Sequence, residues 1–499
     1  MKRFSATILS ITLASPLFLA MPTPQEEEFY HLETIAVPAE ITLEVGGMGF
    51  MSDGRLMVCT RFGEVWSLRN GAWTQFAAGL DEPMGVCPTG PNQIVVSQRP
   101  ELTRLTDTDG DGKADLFETF ADDWNYSGHA YEWTFGPVRD RAGNFFGTLA
   151  CWFFPSMHYD KPPYSGWEIP PPAGYAPRPD TSWRGWCFQV TPAGEFIPWA
   201  TGLRSPNGLG FNPEGDLFVA DNQGEYLGAC ELHHITRGAF HGHPNGLFWD
   251  PSVRGDPFSI PMEKLLERRK LPAIYFPYGV MGQSASQPLW DNTGGKFGPF
   301  AGQMFIGDQT KSTVMRVALE KVAGEYQGAC FPFRTGLQCG VNRIEFGPEG
   351  SLWIGETDRG WGSVGTKRDG LQRLVWRGSA PLEIAAMSLT PVGFDLRFTK
   401  EIDRASGENP LNYDFRRYHY HYHRTYGSPQ VDVQPVAAKS AKLSEDRKTV
   451  SLVLGELLPE KIYELHLGDV RGLDGSVPLH REAYYTLNRL QTSPHLSHE

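Results

Sequence analysis

One phrase recurs along the chain and constrains its fold more than any other feature. It runs Gly, apolar, Phe, then Pro and an acidic residue, then Gly, Leu and an aromatic. It reads NGLGFNPEGDLFVADNQG over residues 207–224 and NRIEFGPEGSLWIGETDRG over 342–360. Weaker copies are MGFMSDGRLMVCTRFG from Met48 and WTFGPVRDRAGNFFGTL from Trp133, with degenerate relatives at 83–97 and 300–310. Each copy is two short apolar runs joined by a Gly turn, the pattern of a β-hairpin. A hairpin unit repeated about six times predicts radially packed blades around a channel. The expected fold class is all-β: a six-bladed β-propeller over residues 29–377. The 55 Gly and 62 aromatic residues (14 Trp, 30 Phe, 18 Tyr) among 499 suit such a turn-rich fold.

From about Ser379 the pattern changes to roughly seven short strands in a hundred residues. That predicts a small immunoglobulin-like β-sandwich over 379–490. One helical segment is expected at 262–269, MEKLLERR. The insertion at 155–181 is rich in Pro, Tyr and Trp and reads as an extended loop, either a wall of a site or a cover for a neighbouring blade.

Charge excludes one class of partner. The formal net charge is -13 and no basic stripe breaks it, so nucleic acid is not expected. Lys2 and Arg3 precede an apolar stretch ending near Ala20, so residues 1–20 read as a secretory signal peptide and the protein as periplasmic or extracellular. No later stretch is long and apolar enough to be a transmembrane segment. Seven cysteines leave at least one free thiol, and Cys330 with Cys339 is the expected disulfide pair.

The sharpest motif is Asp107-Thr-Asp109-Gly-Asp111-Gly112-Lys113-Ala-Asp115-Leu-Phe-Glu118, which fits D-x-[DN]-x-[DN]-G-x5-E at every specified position. Alternating carboxylates, a Gly at the bend and a closing Glu suit one calcium ion, with Lys113 giving its backbone carbonyl. The flanks read as strand and loop, so a structural calcium is expected. His419, His421 and His423 alternate in YHYHYH and share one face of a strand. They could hold a transition metal, although an exposed strand face without a ligand is the favoured reading.

RSPNGLGFNPEGDLFVADNQG followed by GAFHGHPNG resembles the fourth-blade region of secreted glucose/sorbosone dehydrogenases, and GHAYEWTFGPVRDRAGNFFGTL and GDQTKSTVMRV match two further segments. With the DTDGDG loop, GETDRGWG and YGSP, the layout also resembles secreted planctomycete propeller proteins. The resemblance implies a calcium-supported propeller that oxidises a carbohydrate or related alcohol with pyrroloquinoline quinone. It implies His129 as general base, Arg204 as stabiliser of developing quinol charge, and Lys311, Asn207 and Asp221 at the cofactor. Electrons would pass to a separate cytochrome or other acceptor.

Two departures are visible. Ser205 stands where the family has Asn, and Gly340 and Asn342 stand where it has two Arg. Arg343 is adjacent to Asn342, but a one-residue shift in a strand sends a side chain to the opposite face. Two other classes remain open. One is a calcium-dependent lactonase using Glu356, Asn207 and Asp221; the other is a non-catalytic propeller that binds polysaccharide or a protein partner.

Overall fold

The computed structural model describes residues 24–126, 131–151, 182–359 and 362–491. The leader expectation, His129 and the 155–181 loop therefore lie outside the described residues. Strands are the main regular structure of the described residues, and those before Ser379 group into six four-stranded antiparallel blades. After a short helix α1 (Pro24–Phe29) comes β1 (Tyr30–Thr34). Blade one is β2 (Val45–Phe50), β3 (Leu56–Thr60), β4 (Val65–Arg69) and β5 (Ala72–Ala77). Blade two is β6 (Gly85–Gly90), β7 (Gln93–Ser97), β8 (Leu102–Thr106) and β9 (Leu116–Ala121). Blade three is β10 (Thr134–Arg139), β11 (Phe145–Leu149), β12 (Trp186–Val190) and β13 (Phe196–Thr201). Blade four is β14 (Pro206–Phe211), β15 (Leu217–Asp221), β16 (Cys230–Ile235) and, after helix α2 (Met262–Arg268), β17 (Ile274–Phe276). Blade five is β18 (Ala285–Trp290), β19 (Met304–Asp308), β20 (Thr313–Val322) and β21 (Glu325–Arg334).

Blade six is β22 (Val341–Phe346), β23 (Leu352–Thr357) and β24 (Asp369–Trp376), completed by β1 from the start of the chain. That pairing closes the ring and removes an open sheet edge. The recurring phrase is thus the inner hairpin of blades one, two, three, four and six, whereas the relative at 300–310 holds β19 alone. Its turn glycines Gly54, Gly143, Gly215 and Gly350 all have φ between 85 and 97°, the left-handed region where Gly is favoured. Glycines on the inner strands answer a second demand. A Cβ on Gly85 would lie 1.5 Å from the Gly136 carbonyl oxygen, so neighbouring inner strands meet backbone to backbone at the axis.

The C-terminal strands form a two-sheet antiparallel sandwich. One sheet is β25 (Ile384–Thr390), β26 (Gly393–Phe398), β30 (Thr449–Leu454) and β29 (Ala438–Leu443). The other is β28 (Val431–Val436), β27 (Tyr413–His419), β31 (Lys461–Leu467) and β32 (Glu482–Leu487). A core including Phe394, Leu396, Phe415, Leu452, Tyr463 and Tyr485 fills the space between them. The second sheet does not stop at its own edge: β32 pairs with β21, opposing Gly328–Thr486, Ala329–Tyr485 and Cys330–Tyr484. Blade five and the sandwich therefore share one eight-stranded sheet. A shared apolar cluster places Tyr418, Ile462 and Tyr484 against Phe218, Ile274 and Met315 of blades four and five.

A polar knot also ties the units. His480 contacts Glu383 Oε1 at 2.7 Å and Glu26 Oε1 at 3.1 Å, while Arg334 of β21 lies 3.3 Å from Glu26 Oε2. Burial alone would lower the His480 pKa, but Glu383 and Glu26 outweigh it and raise it to about 10. A raised histidine pKa stabilises the fold fully below its unfolded value of about 6.5 and loses that contribution as pH climbs towards about 10. The stability gap between the wild-type protein and His480→Gln should accordingly be widest at or below pH 6.5 and shrink steadily to pH 10, measured by urea denaturation across that range.

The seven cysteines are free thiols. The expected Cys330–Cys339 bridge is absent because the two side chains belong to different layers. Cys330 packs in the apolar cluster with Tyr418 and Tyr484, whereas Cys339 sits beside Ser363 Oγ at 3.8 Å. Among the described residues, no helix is long and apolar enough to cross a membrane.

Candidate functional site

An acidic residue at the end of the second strand in blades four and five, and one before the end in blade six, has a structural task. Asp221 accepts hydrogen bonds from the backbone amides of Arg204, Ser205 and Asn222 at 2.7–2.9 Å. Asp308 does the same for Gln283, Ser284 and Lys311 at 2.7–2.8 Å. Glu356 takes the Gln338 amide at 2.7 Å and the Cys339 N–H at 3.4 Å. Each carboxylate pins the loop that enters the inner strand of its own blade, since buried amides left unpaired would be costly. Burial pushes the Asp221 pKa up to about 6 and the Glu356 pKa up to about 8. Asp221 is thereby occupied by the chain itself.

The cations implied by the resemblance are occupied too. Arg204 is buried, and its Nε donates to Glu225 Oε2 at 2.8 Å and its Nη1 to the Gln223 carbonyl at 3.0 Å. The ring of Tyr426, from the C-terminal sandwich, lies 5.1 Å from its guanidinium carbon. Lys311 places its ammonium 2.6 Å from the Gly279 carbonyl oxygen. Sequence reading missed Glu225 and Tyr426. The YGSP segment was visible, but nothing in it announces that it folds back over blade four. It does so through Tyr226 N–H to the His423 carbonyl at 2.9 Å and Gly427 N–H to the Gly224 carbonyl at 2.9 Å.

Arg343 corrects the expectation that it points away from the channel. The pairing of β22 with β23 shifts register between Val341 and Arg343, and comparable shifts occur near the starts of β2 and β14. Such a bulge re-aims a side chain, so Asn342 and Arg343 both reach the interior. Arg343 Nη1 donates to Asn207 Oδ1 and Asn342 Oδ1, each at 3.1 Å, and Nη2 donates to the Met84 carbonyl at 2.9 Å. Asn207 Nδ2 donates to Asn342 Oδ1 at 3.2 Å. These three residues form a polar plug across the channel.

Below the plug lies a cavity of about 340 Å³, lined by inner-strand glycines with Gln287, Arg343 and Glu345. Above it, Trp133, Ser205, Asn222, Gln309, Thr357 and Arg359 surround a smaller space of about 20 Å³, room for about one water. Arg359 lies 4.9 Å from the Trp133 ring and pairs with Glu82, which Arg99 and Arg61 also approach. The channel mouth is therefore rich in amides and hydroxyls, with an indole and one guanidinium held close to it.

The lactonase constellation does not converge, since Glu356 and Asp221 face the loops of different blades and only Asn207 belongs to the plug. Among the described residues, one acidic group has the spacing of a metal site: Asp107, Asp109 and Asp111, with ligand oxygens within 4.8 Å of one another. It occupies the β8–β9 turn. Asp107 is buried and accepts from the Gly110 and Gly112 amides at 2.7 and 2.9 Å, while Lys113 N–H donates to Asp111 at 2.8 Å. Asp115 accepts from Thr108 Oγ1 and N at 2.7 and 3.1 Å, which lowers its pKa. Glu118 stands apart. It opposes Arg104 in the β8–β9 ladder, its carboxylate 4.0 Å from that guanidinium, because a hairpin cannot bring its twelfth residue back as a helix would.

His419, His421 and His423 do not form a triad on one strand face. β27 ends at His419, whose Nδ1 lies 2.9 Å from Lys461 Nζ, and His423 Nε2 contacts the Gly427 carbonyl at 2.9 Å.

No family model and no curated protein matches the chain. Among solved structures, a Trichoderma reesei protein of carbohydrate-active enzymes family AA12 is similar at 14% identity and TM-score 0.51, covering 73% of this chain and 100% of that one. The soluble aldose sugar dehydrogenase of Escherichia coli is similar at 16% identity and TM-score 0.47, over 70% and 100% of the two chains. The PQQ-bound aldose sugar dehydrogenase of Streptomyces coelicolor gives 13% identity and TM-score 0.44, over 69% and 98%. The likeness concerns the fold, and the first of the three carries it.

Proposed function

We propose that this chain is an exported propeller of the sugar-dehydrogenase type, stabilised by calcium, which takes a neutral carbohydrate at its channel mouth. The observation that carries this reading is the lining itself. The space holds about one water, so a sugar would rest on its rim against the Asn222 amide and the Trp133 indole, a polar group beside an apolar face. Gln309 Nε2 already donates to the Arg359 carbonyl at 2.8 Å and Thr357 Oγ1 accepts from the Arg359 N–H at 3.1 Å.

The tricarboxylate quinone implied by the resemblance does not fit the residues present. Arg204 is neutralised by Glu225 and faced by Tyr426, Lys311 is held on a carbonyl, and Arg343 is bound within the plug. Three anionic carboxylates need partners that are not already bonded elsewhere. No redox step is therefore assigned to the site, and any part played by His129 lies outside the described residues.

Calorimetric titration with neutral mono- and oligosaccharides tests the reading. Saturable binding should weaken at least tenfold in Asn222→Ala. No saturation by any neutral sugar, with the fold intact, would overturn it.

Calcium belongs in the β8–β9 turn, held by Asp107, Asp109 and Asp111 with Asp115 beside them. Its removal should lower stability by about 3 kcal/mol relative to a hundredfold excess of ion over its dissociation constant. Differential scanning calorimetry with chelator, then with added calcium, checks this, and the shift should vanish in Asp107→Asn.

A further inference from the structure

The cavity of about 340 Å³ below the polar plug has a chemistry of its own. It lies on the far side of the plug from the channel mouth, and the inner strands of all six blades contribute to its wall. Inner-strand glycines make the room, while Met48, Phe50, Val138 and Leu209 give it an apolar flank. Two lining side chains bring opposite charges to it: Arg139 from the end of β10 and Glu345 from β22.

Neither charge is answered within the chain. Arg139 is exposed, with the Phe145 ring 5.6 Å from its guanidinium carbon and no carboxylate paired with it among the described residues. Glu345 is partly buried and likewise makes no ion pair among them. Burial pushes its pKa up to about 7, opposed only by the Phe346 amide, whereas a nearby cation would pull it down. Arg343 does not serve, since its Nη1 and Nη2 are turned to Asn207, Asn342 and the Met84 carbonyl. Nor do Arg139 and Glu345 pair with each other, because blades three and six stand opposite in a ring of six.

The two charges nevertheless face one space. Cys87 also lines it, and burial pushes the Cys87 thiol up to about 12, with Arg139 then lowering that value and Glu345 raising it. Both charged heads are therefore within electrostatic reach of one point in the cavity. Gln287, from β18, adds an amide without a side-chain hydrogen bond among the described residues.

We propose that this lower cavity binds a zwitterion, a free amino acid or short peptide with an apolar side chain, its ammonium against Glu345 and its carboxylate against Arg139. One molecule carrying both signs engages both charges at once, which separate counter-ions cannot do. The volume falls in the range of small-molecule sites, and the apolar flank suits an aliphatic side chain. The site does not depend on the neutral-sugar reading of the mouth.

The test is calorimetry on the full-length, calcium-loaded protein with leucine and leucyl-leucine. Beside them stand leucinamide, which lacks the carboxylate, and N-acetylleucine, which lacks the ammonium. Leucine or the dipeptide should saturate the protein and bind about tenfold more tightly than both blocked forms. That affinity should fall about tenfold in Arg139→Gln and in Glu345→Gln, and neither substitution should change neutral-sugar binding at the mouth. The tighter of the two probes tells whether the site takes one residue or two. No saturation by either probe at about 10 mM would overturn the proposal. So would a blocked form that binds as tightly as the better probe, or binding that survives both substitutions. The blocked forms query the same two charges in the unaltered protein, so the result stands even where a variant fails to fold.

Discussion

A chain ending after Trp376 should accumulate as insoluble aggregate rather than as a free propeller. Three losses act together. Strand β21 would lose β32, leaving an unpaired edge at Gly328–Cys330 on a ten-residue strand, and exposed edges of this kind pair with other chains. The apolar surface now covered by Tyr418, Ile462 and Tyr484 would meet water. Arg316 would suffer most. It is buried between the Phe300 and Phe331 rings, and its guanidinium donates to the Ala385 and Ile384 carbonyls at 2.9 and 2.6 Å. Without the sandwich it keeps only Gln303 from that set. Fractionation of expressed protein checks this, and soluble, monomeric protein of native circular dichroism would contradict it.

The second large effect is expected at Glu225. Replacing it by Ala leaves the Arg204 charge buried without its carboxylate, a change that costs about 3–5 kcal/mol for buried pairs. The urea midpoint should fall accordingly. Removing both charges together, as Arg204→Met with Glu225→Leu, should recover most of the loss, because two apolar side chains of similar volume need no solvation. If Glu225→Ala is neutral, Arg204 is not held by this pair and the argument against a quinone at Arg204 fails with it. Tyr426→Ala is the milder companion, since it removes a ring contact and not a charge.

Much of the fold was legible because hairpin periodicity is a local property. The phrase at 207–224 maps onto β14 and β15, that at 342–360 onto β22 and β23, and each Gly of the turn has the φ that its position requires. Helix α2 also falls where MEKLLERR predicts it. What could not be read was the long-range pairing. That β1 closes blade six and β32 extends blade five depends on strands more than a hundred residues apart, for which no local signal exists.

The site shows the same division. The acidic strand ends were recognisable as a recurring position, and their role as loop pins follows the repeat rather than any ligand. Arg343 was misplaced because strict alternation in a strand ignores bulges, and the bulge between Val341 and Arg343 turns Asn342 and Arg343 both inward. Tyr426 and Glu225 were missed for a different reason. Their importance comes only from the partner they meet, and Tyr426 reaches Arg204 from more than two hundred residues away. The calcium loop was legible as a pattern, but the helix-derived template overreached at Glu118, where a hairpin holds the residue in its ladder.

The measurement that bears most directly on the account is a paired calorimetric titration of calcium-loaded protein, first with pyrroloquinoline quinone and then with neutral saccharides. The quinone should not saturate the protein at tens of micromolar, whereas saccharide should bind saturably and more weakly in Asn222→Ala. Stoichiometric quinone binding that is lost in Lys311→Ala would contradict it, and would return the chain to the dehydrogenase chemistry that its sequence resembles.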